Sequence, residues 1–420
     1  MKSQIINLCA AIAILAVAAS CKPKNLFDPI AYEQHLKETA PLSTVDALHT
    51  WNLTTGRSVS IQANGTDGEA VKVQVLNANP TTGKAEILAE DSVVQGRSVT
   101  LFFYAPKWMD TFYAVQQNSN NTSTLKEFKA ADRNVGFTGG TRLQGNPQFK
   151  WVTYSYCFEE NYPDIGDLDM NDCVLRIRVE PGDDELERRI NVKLAAVGAT
   201  RQIAAAINIV GCSYYDVESV VTSDGQSFGQ PYPLMLRFID NTNNLQMGLH
   251  GEAAIRLFED AHWVMNNKQR ENGQGIVVQY INTRRANSDN YVLLAPKEVT
   301  YIVRFKNKAV LNNFSIESLD PFILTEFNGG IWETHTGQYR TNKILRDTGD
   351  NTSYTSIPWG LKVPMADFAY PLEANSIGLL KDNVLSGAYQ VRGHAFGEWA
   401  ADRNKSLDWY LFPSPMMCFE

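Results

Sequence analysis

Most of the chain alternates between apolar and polar residues, which is the pattern of half-buried β-strands. The alternation is clear in four early segments, at 57–62, 70–76, 98–104 and 111–115. Gly, Asn and Pro residues separate these segments at short intervals, as turns do in an all-β protein. We therefore predict an immunoglobulin-like β-sandwich over residues 45–140.

A polar stretch at 116–124 is typical of a loop or linker, and the same alternation resumes at Trp151. It predicts strands at 151–158, 173–180, 187–194 and 298–305. Helical periodicity is scarce, with one candidate helix at 395–402. We predict a mainly β fold in which a larger β-sandwich-type region with few short helices, over residues 150–420, follows the first sandwich. This region is long enough to divide into two subdomains.

The N-terminus has the pattern of a bacterial lipoprotein leader. An apolar segment at 5–17 ends in Ala18-Ala19-Ser20, directly before Cys21. The apolar segment is too short for a comfortable membrane span, so it predicts a signal peptide over residues 1–20. Acylation of Cys21 would then leave residues 21–44 as a lipidated tether. The alternative is an ordinary secretory signal in which Cys21 is incidental.

Composition narrows the choice of partners. The formal net charge is -8, from 46 acidic and 38 basic residues. Nucleic acid selects basic surfaces, so it is not an expected partner. The expected contacts are instead a membrane, through the lipid anchor, and a glycan, a peptide or a surface protein. Together with the leader, this predicts a location at the outer membrane, on its periplasmic face or at the cell surface.

The most informative segment is an acidic one, at residues 158–172. It contains six carboxylates, two Asn amides and no Lys or Arg. Such charges repel one another unless they stay solvated or share a cation. Oxygen ligands without nearby His or thiol groups favour Ca²⁺ over zinc or copper. We predict a structural calcium site with ligands Asp167, Asp169, Asn171 and Asp172, helped by Glu159 and Asp164.

Two alternatives concern the same segment. Its Asp and Asn side chains could instead cap the backbone of a solvated turn. Cys157 and Cys173 flank the segment, and an oxidising compartment would allow them to form a disulfide worth about 3 kcal/mol. Two buried free thiols are the alternative. The chain has four cysteines after Cys21, which allow three sets of disulfide pairings: Cys157, Cys173, Cys212 and Cys418 are these cysteines.

The segment from Tyr156 to Asp172 resembles the signature of the LruC-type lipoproteins of Bacteroidota, which carry a domain of unknown function. Further blocks in the same order extend the resemblance over residues 151–410, at 198–199, 254–261, 319–323, 331–335, 357–361, 370–373 and 396–410. Cys173 departs from the family pattern, in which an aliphatic residue is expected, and Thr200-Arg201-Gln202 replaces a Gly- and His-containing turn. The resemblance implies an envelope lipoprotein with no established reaction.

Catalytic motifs are weak. Gly225–Gly229 fits the G-X-S-X-G pattern, but a nucleophilic Ser227 would need a following helix, which Pro231 and Pro233 disfavour. We predict no catalytic residue and favour a non-catalytic binding protein. The alternatives are a glycan or peptide hydrolase whose site is assembled from distant residues, and a structural pilus-like assembly subunit.

Aromatic residues crowd the C-terminal half of the chain and suggest a surface for binding sugars or proteins. The polar, Gly-containing loop at 336–354 is the preferred place for it. The predicted binding surface consists of Tyr339, Arg340, Tyr354 and Trp359.

Overall fold

The computed structural model describes residues 45–46, 48–66, 68–162, 166–225, 227–229, 243–248, 250–266, 280–285, 288, 291–327, 330–337, 342–344 and 357–419. The predicted signal peptide and tether, including Cys21, lie outside these ranges.

The first part of the described chain forms two sheets. The smaller has the order β4-β1-β7, with β1 Thr54–Gln62, β4 Ser98–Pro106 and β7 Asn134–Gly136. The larger has the order β8-β6-β5-β2-β3-β9, with β2 Ala70–Leu76, β3 Glu86–Val94, β5 Thr111–Gln117, β6 Thr122–Lys129, β8 Thr141–Gln144 and β9 Lys150–Trp151. Alternate residues such as Val59, Val73 and Phe112 are buried between the sheets, as the period-two pattern requires.

The second part contains two six-stranded sheets. One has the order β14-β19-β12-β11-β10-β23, with β10 Thr153–Phe158, β11 Cys173–Pro181, β12 Glu187–Ala196, β14 Val217–Thr222, β19 Lys297–Phe305 and β23 Gly360–Val363. The other has the order β15-β16-β13-β20-β21-β22, with β13 Ala204–Ser213, β15 Leu245–Met247, β16 Glu252–Phe258, β20 Leu319–Phe327, β21 Gly330–His335 and β22 Asn342–Ile344. Their apolar faces meet through residues such as Leu175, Val192 and Ile207.

Short elements complete the fold. Three two-stranded sheets pair β17 Tyr280–Ile281 with β18 Tyr291–Val292, β24 Leu379–Lys381 with β25 Val384–Ser386, and β26 Gln390–Val391 with β27 His394–Ala395. The described α-helices are α1 Ala261–Asn266 and α2 Phe396–Ala401, and the second confirms the predicted helix. None of the helices in the described ranges has both the length and the apolarity that crossing a bilayer requires.

The mainly β fold of sandwich type is confirmed. One hydrophobic core contains buried residues from both sandwiches, because Val73 of the first and Ile207 of the second belong to the same cluster. The change from the first pair of sheets to the second falls between Trp151 of β9 and Thr153 of β10, within this continuous core. The polar stretch at 116–124 is not a linker, because it forms the turn and the adjoining ends of the β5–β6 hairpin. A second core lies on the opposite face of β10 and β11 and contains Trp399 and Trp409.

The cysteines correct one expectation. The thiols of Cys157 and Cys173 are buried and free, and no disulfide joins them. The reason is the register of the hairpin, in which Phe158 pairs with Cys173 and Cys157 pairs with Val174. Successive side chains in a strand point to opposite faces, so Cys157 faces the second core and Cys173 faces the first.

Candidate metal centre

The acidic segment is the connection between β10 and β11, two central strands of their sheet. The Glu159 amide donates to the Trp359 carbonyl oxygen at 2.8 Å, which continues the pairing of β10 with β23 beyond the end of the strand. At the other end, the amides of Gly198 and Ala199 donate to the carbonyl oxygens of Asn171 and Asp172. Main-chain hydrogen bonds to two different segments therefore hold the loop.

The loop backbone alternates between left-handed and other conformations. Gly166, Leu168 and Met170 have φ values of 67°, 60° and 55°. Gly166 is required here, because a Cβ at this position would lie 2.7 Å from Oε2 of Glu159. Leu168 and Met170 accept the strained conformation because their side chains are buried in the second core. The intervening Asp167 and Asp169 are thereby directed away from that core.

Three carboxylates meet in this loop. Glu159, Asp167 and Asp169 each offer an oxygen atom, and these atoms all lie within 4.8 Å of one another. Glu159 is completely buried and Asp169 is 1% exposed, whereas Asp167 is exposed to solvent. The cluster therefore has a buried base and one open side.

Main-chain amides are the hydrogen-bond partners of the two buried carboxylates. Oε1 of Glu159 accepts from the Met170 amide at 2.6 Å. The two oxygens of Asp169 accept from the amides of Asn171 and Ala374, at 3.2 and 2.8 Å. Oε2 of Glu159 is buried and has no hydrogen-bond partner in the described part of the chain. An ionised carboxylate oxygen in that situation carries a desolvation cost with no direct compensation.

The electrostatics follow from this arrangement. Burial, together with the neighbouring Asp167 carboxylate, raises the pKa of Glu159 to about 8. Burial and the Glu159 carboxylate also raise the pKa of Asp169 and of Asp172. These shifts have the sign expected for acids that lack a countercharge.

The other predicted ligands lie differently. Asp172 is outside the three-carboxylate cluster, and its Oδ2 accepts from the Glu160 amide at 2.7 Å. Nδ2 of Asn171 donates to the Pro371 carbonyl oxygen, while its Oδ1 is buried without a hydrogen-bond partner among the described residues. Asp164 lies outside the described ranges. The structure thus brings together Glu159, Asp167 and Asp169, and gives Glu159 a more central place than the sequence suggested.

Sequence reasoning missed Glu373, which lies about two hundred positions away from the acidic loop. The amide of the next residue, Ala374, donates to Asp169, so Glu373 borders the cluster. Burial and the Asp167 carboxylate raise the pKa of Glu373 to about 7, although Arg284 opposes the shift. No pattern near Glu373 could have indicated this, because the contact depends on how the C-terminal segment folds back over the hairpin.

A cavity of about 330 Å³ opens beside Glu373. Its lining carries both signs of charge, since Arg284 and Arg285 lie opposite the Glu373 carboxyl group. Arg284 also lies over the Tyr280 ring, at 3.5 Å from the ring centroid. The acidic cluster is therefore next to a polar, solvent-accessible space.

The predicted binding surface requires a correction. Trp359 is only 4% exposed and packs edge-on against Tyr162, with ring centroids 4.9 Å apart. Trp332 contacts the other side of Tyr162 at 5.1 Å. Trp359 is thus part of the packing beneath the acidic loop, because it directly precedes β23 and its carbonyl oxygen accepts the Glu159 amide. The other members of the predicted surface, Tyr339, Arg340 and Tyr354, lie outside the described ranges.

A second group of titratable residues is fully enclosed. Nδ1 of His335 lies 2.7 Å from Oδ2 of Asp320, and its Nε2 lies 3.3 Å from Oε2 of Glu333. Burial alone would lower the pKa of His335, but the two carboxylates outweigh it and raise the pKa to about 9. In contrast to the acidic loop, these carboxylates have a cationic partner at neutral pH.

A family model described as "Domain of unknown function (DUF4842)" matches residues 186–410, a range that contains Glu373 but begins after the acidic loop. No curated protein is significantly similar to the chain. A crystal structure of a protein from Bacteroides ovatus, described as a candidate lipoprotein, is similar at a TM-score of 0.50 and 14% identity, covering 83% of this chain and 98% of that chain. At this identity the likeness shows the fold alone.

The enclosed histidine allows a test of buried charge. We expect His335→Leu to lower the free energy of unfolding by about 3–5 kcal/mol, because it leaves two buried carboxylates without their partner. Since the folded-state pKa is raised, the stabilisation is complete below about pH 6.5 and is lost as the pH rises through about 9. Urea unfolding at pH 6 measures the effect. His394→Leu is the matched control, since its partly exposed pair with Asp408 should contribute about 1 kcal/mol or less.

Proposed function

This chain belongs to the DUF4842 family, which is defined by a domain of unknown function, so we propose its role from its own residues. The proposed role is that of a non-catalytic envelope lipoprotein stabilised by Ca²⁺. The calcium ion would bind at Glu159, Asp167 and Asp169. The observation that carries this proposal is the buried, unpartnered Oε2 of Glu159 beside two further carboxylates.

A cation accounts for what the protein groups leave uncompensated. In the described ranges, no Lys or Arg forms an ion pair with Glu159 or Asp169, and the hydrogen bonds they accept come from neutral amides. Repulsion among three carboxylates within 4.8 Å opposes folding unless protons or a cation neutralise them. At neutral pH a divalent ion removes this repulsion more completely than partial protonation does.

Calcium is favoured by the chemistry of the donors. The nearby groups are carboxylate and amide oxygens, which hard cations prefer. Ca²⁺ accepts six to eight oxygens in flexible geometry, so carboxylates from Glu159, Asp167, Asp169 and the adjacent Glu373 can contribute, with water on the open side. The unpartnered Oδ1 of Asn171 is a further oxygen in the same loop.

The ion would join two distant parts of the chain. Asp169 accepts the amide of Ala374, Asn171 donates to the carbonyl of Pro371, and the amide of Ile377 donates to the carbonyl of Leu168 at 2.7 Å. Three hydrogen bonds therefore already hold segment 371–377 against the acidic loop. A cation bound between them would strengthen this contact, which closes the second core.

The envelope location rests on the leader. We propose that Cys21 is acylated, that the protein is anchored at the outer membrane, and that it is an LruC-type lipoprotein of Bacteroidota. The Bacteroides ovatus protein of similar fold is itself described as a candidate lipoprotein, which agrees with the proposed lipid anchor. The anchored domain would bind a glycan, a peptide or a partner protein.

A non-catalytic role is supported by the burial of Glu159 and Asp169, which gives a substrate no direct access to them. A hydrolase and a pilus-like subunit remain the alternatives.

Calcium should stabilise the folded chain. At a free calcium concentration about 100-fold above the Kd, binding to the folded state adds about 2.7 kcal/mol, which raises the Tm. We expect EGTA to lower the Tm and added Ca²⁺ to restore it, as measured by calorimetry. Asp167→Asn should weaken calcium binding by about tenfold or more, and it should not lower the metal-free Tm, because it removes one of three carboxylates that repel one another.

Asp110→Asn is the matched control, since Asp110 is an exposed carboxylate far along the chain in the first sandwich. It should leave the calcium response unchanged. If EGTA does not change the Tm, or if both variants respond alike, the acidic loop does not bind calcium.

The pH dependence follows from Glu159. Its pKa is about 8 in the folded protein and 4.5 ordinarily, so the metal-free folded state holds a proton that the unfolded chain releases. The free energy of unfolding should therefore fall by a few kcal/mol, in order of magnitude, as the pH rises from about 4.5 to about 8. Saturating Ca²⁺ should reduce this fall, because it stabilises the ionised carboxylates. Urea unfolding at pH 5 and pH 8 checks this, and Glu159→Gln should show a much weaker dependence.

A further inference from the structure

Strand β4 forms one edge of the smallest sheet. Over nine residues, from Ser98 to Pro106, it pairs with β1 in continuous antiparallel register, with no bulge. In the sheet order β4-β1-β7, the side of β4 that faces away from β1 has no neighbouring strand in the described chain. Half of its main-chain donors and acceptors point to that side, as in any edge strand.

This edge lacks the usual protection against strand pairing. Proteins protect such edges with charged residues, proline, bulges, short strands or a covering segment. The proline of β4, Pro106, is its last residue and leaves the other positions able to pair. Ser98–Pro106 contains no charged residue. The other described edge strands of four or more residues are shorter and carry a charge: Arg142 in β8, Glu218 in β14 and Lys362 in β23. β4 is therefore the longest of these edges and the only uncharged one.

Space is available beside the strand. A cavity of about 400 Å³ lies between residues 88–91 of β3 and residues 100–104 of β4. Its lining also includes residues 151–152, 179–181, 188, 312 and 314–316. The middle of β4 therefore borders open space, which other parts of the same chain also line.

The outer face of β4 carries an exposed aromatic residue at its midpoint. Phe102 is 58% exposed, although its side chain is large and apolar. Its ring packs edge-on against Tyr104 at 5.2 Å and lies over Gly56, where a Cβ would come within 2.9 Å of the ring. The ring is therefore held in place while much of its surface stays in water.

We propose that β4 pairs antiparallel with β4 of a second copy of this chain, about a two-fold axis at Phe102. Phe102 is the fifth of nine residues, so this axis uses the full length of the strand. It would place Phe102 beside Phe102 of the copy, Thr100 beside Tyr104, and Leu101 beside Phe103. The two three-stranded sheets would become one six-stranded sheet.

A second copy is favoured by complementarity. Aromatic pairs and Thr–aromatic pairs are among the stabilising cross-strand neighbours of antiparallel sheets. An uncharged strand that pairs with itself places no like charges opposite each other, and a two-fold axis needs such a self-complementary surface. The proposal does not depend on calcium, so either can fail alone.

The oligomeric state tests the proposal. We expect the full chain, solubilised in detergent, to sediment as a dimer. Phe102→Lys places two ammonium groups opposite each other and should raise the dissociation constant by about tenfold or more. The matched control is Val221→Lys, on edge strand β14, where the wild-type side chain is 50% exposed. It should leave the dimer intact. Circular dichroism checks that both variants fold.

Cross-linking tests the register without relying on a destabilising variant. In Phe102→Cys, the two thiols would lie opposite each other, so a short thiol-specific cross-linker should give a product of twice the chain mass. Val221→Cys should give none above the wild-type background. The proposal is overturned by any of three results: a wild-type chain that sediments as a monomer, a Phe102→Lys variant that still sediments as a dimer, or equal cross-linking of the two cysteine variants. If the wild-type chain is a monomer, the edge of β4 could pair only with a strand of another protein.

Discussion

Burial of negative charge is the constraint around which the C-terminal part of the fold is arranged. Glu159 and Asp169 are withdrawn from water within 4.8 Å of Asp167, and amides alone satisfy part of their hydrogen-bonding capacity. The loop that holds them depends on left-handed residues whose apolar side chains enter the second core. Packing of Leu168 and Met170 thus fixes carboxylates that would otherwise move apart. A cation would convert this repulsion into a link between the hairpin and segment 371–377.

The rest of the interior treats charge differently. Lys362 is buried, and its ammonium group contacts Oε2 of Glu317, whose Oε1 accepts from the hydroxyl of Thr54 at 2.6 Å. Burial lowers the pKa of Lys362, while the Glu317 carboxylate opposes that shift. His335 likewise lies between two carboxylates. Buried ions with partners are what a stable core requires, whereas in the described ranges Glu159 and Asp169 accept hydrogen bonds only from main-chain amides.

The two proposals concern different sheets of the described chain and different physical interactions. At the acidic loop, the open question is which charge compensates the carboxylates. At β4, the unpaired main chain of an uncharged edge strand needs either water or another strand. Pairing through β4 would use none of the residues that line the cavity beside Glu373.

The sequence by itself determined the short helix after Ala395, the position of the acidic loop and the alternating strands β1, β2, β4, β5, β10, β11, β12 and β19. It did not predict β3, β6, β13, β16 or β20. Alternation of apolar residues is a local property, and a strand with one buried face displays it directly. Tertiary structure decided what lies beside these elements. It placed Glu373 at the cluster and Trp359 in the interior, and the hairpin register put Cys157 and Cys173 on opposite faces. These outcomes depend on contacts between residues far apart in the chain, and spacing along the sequence carries no information about such contacts.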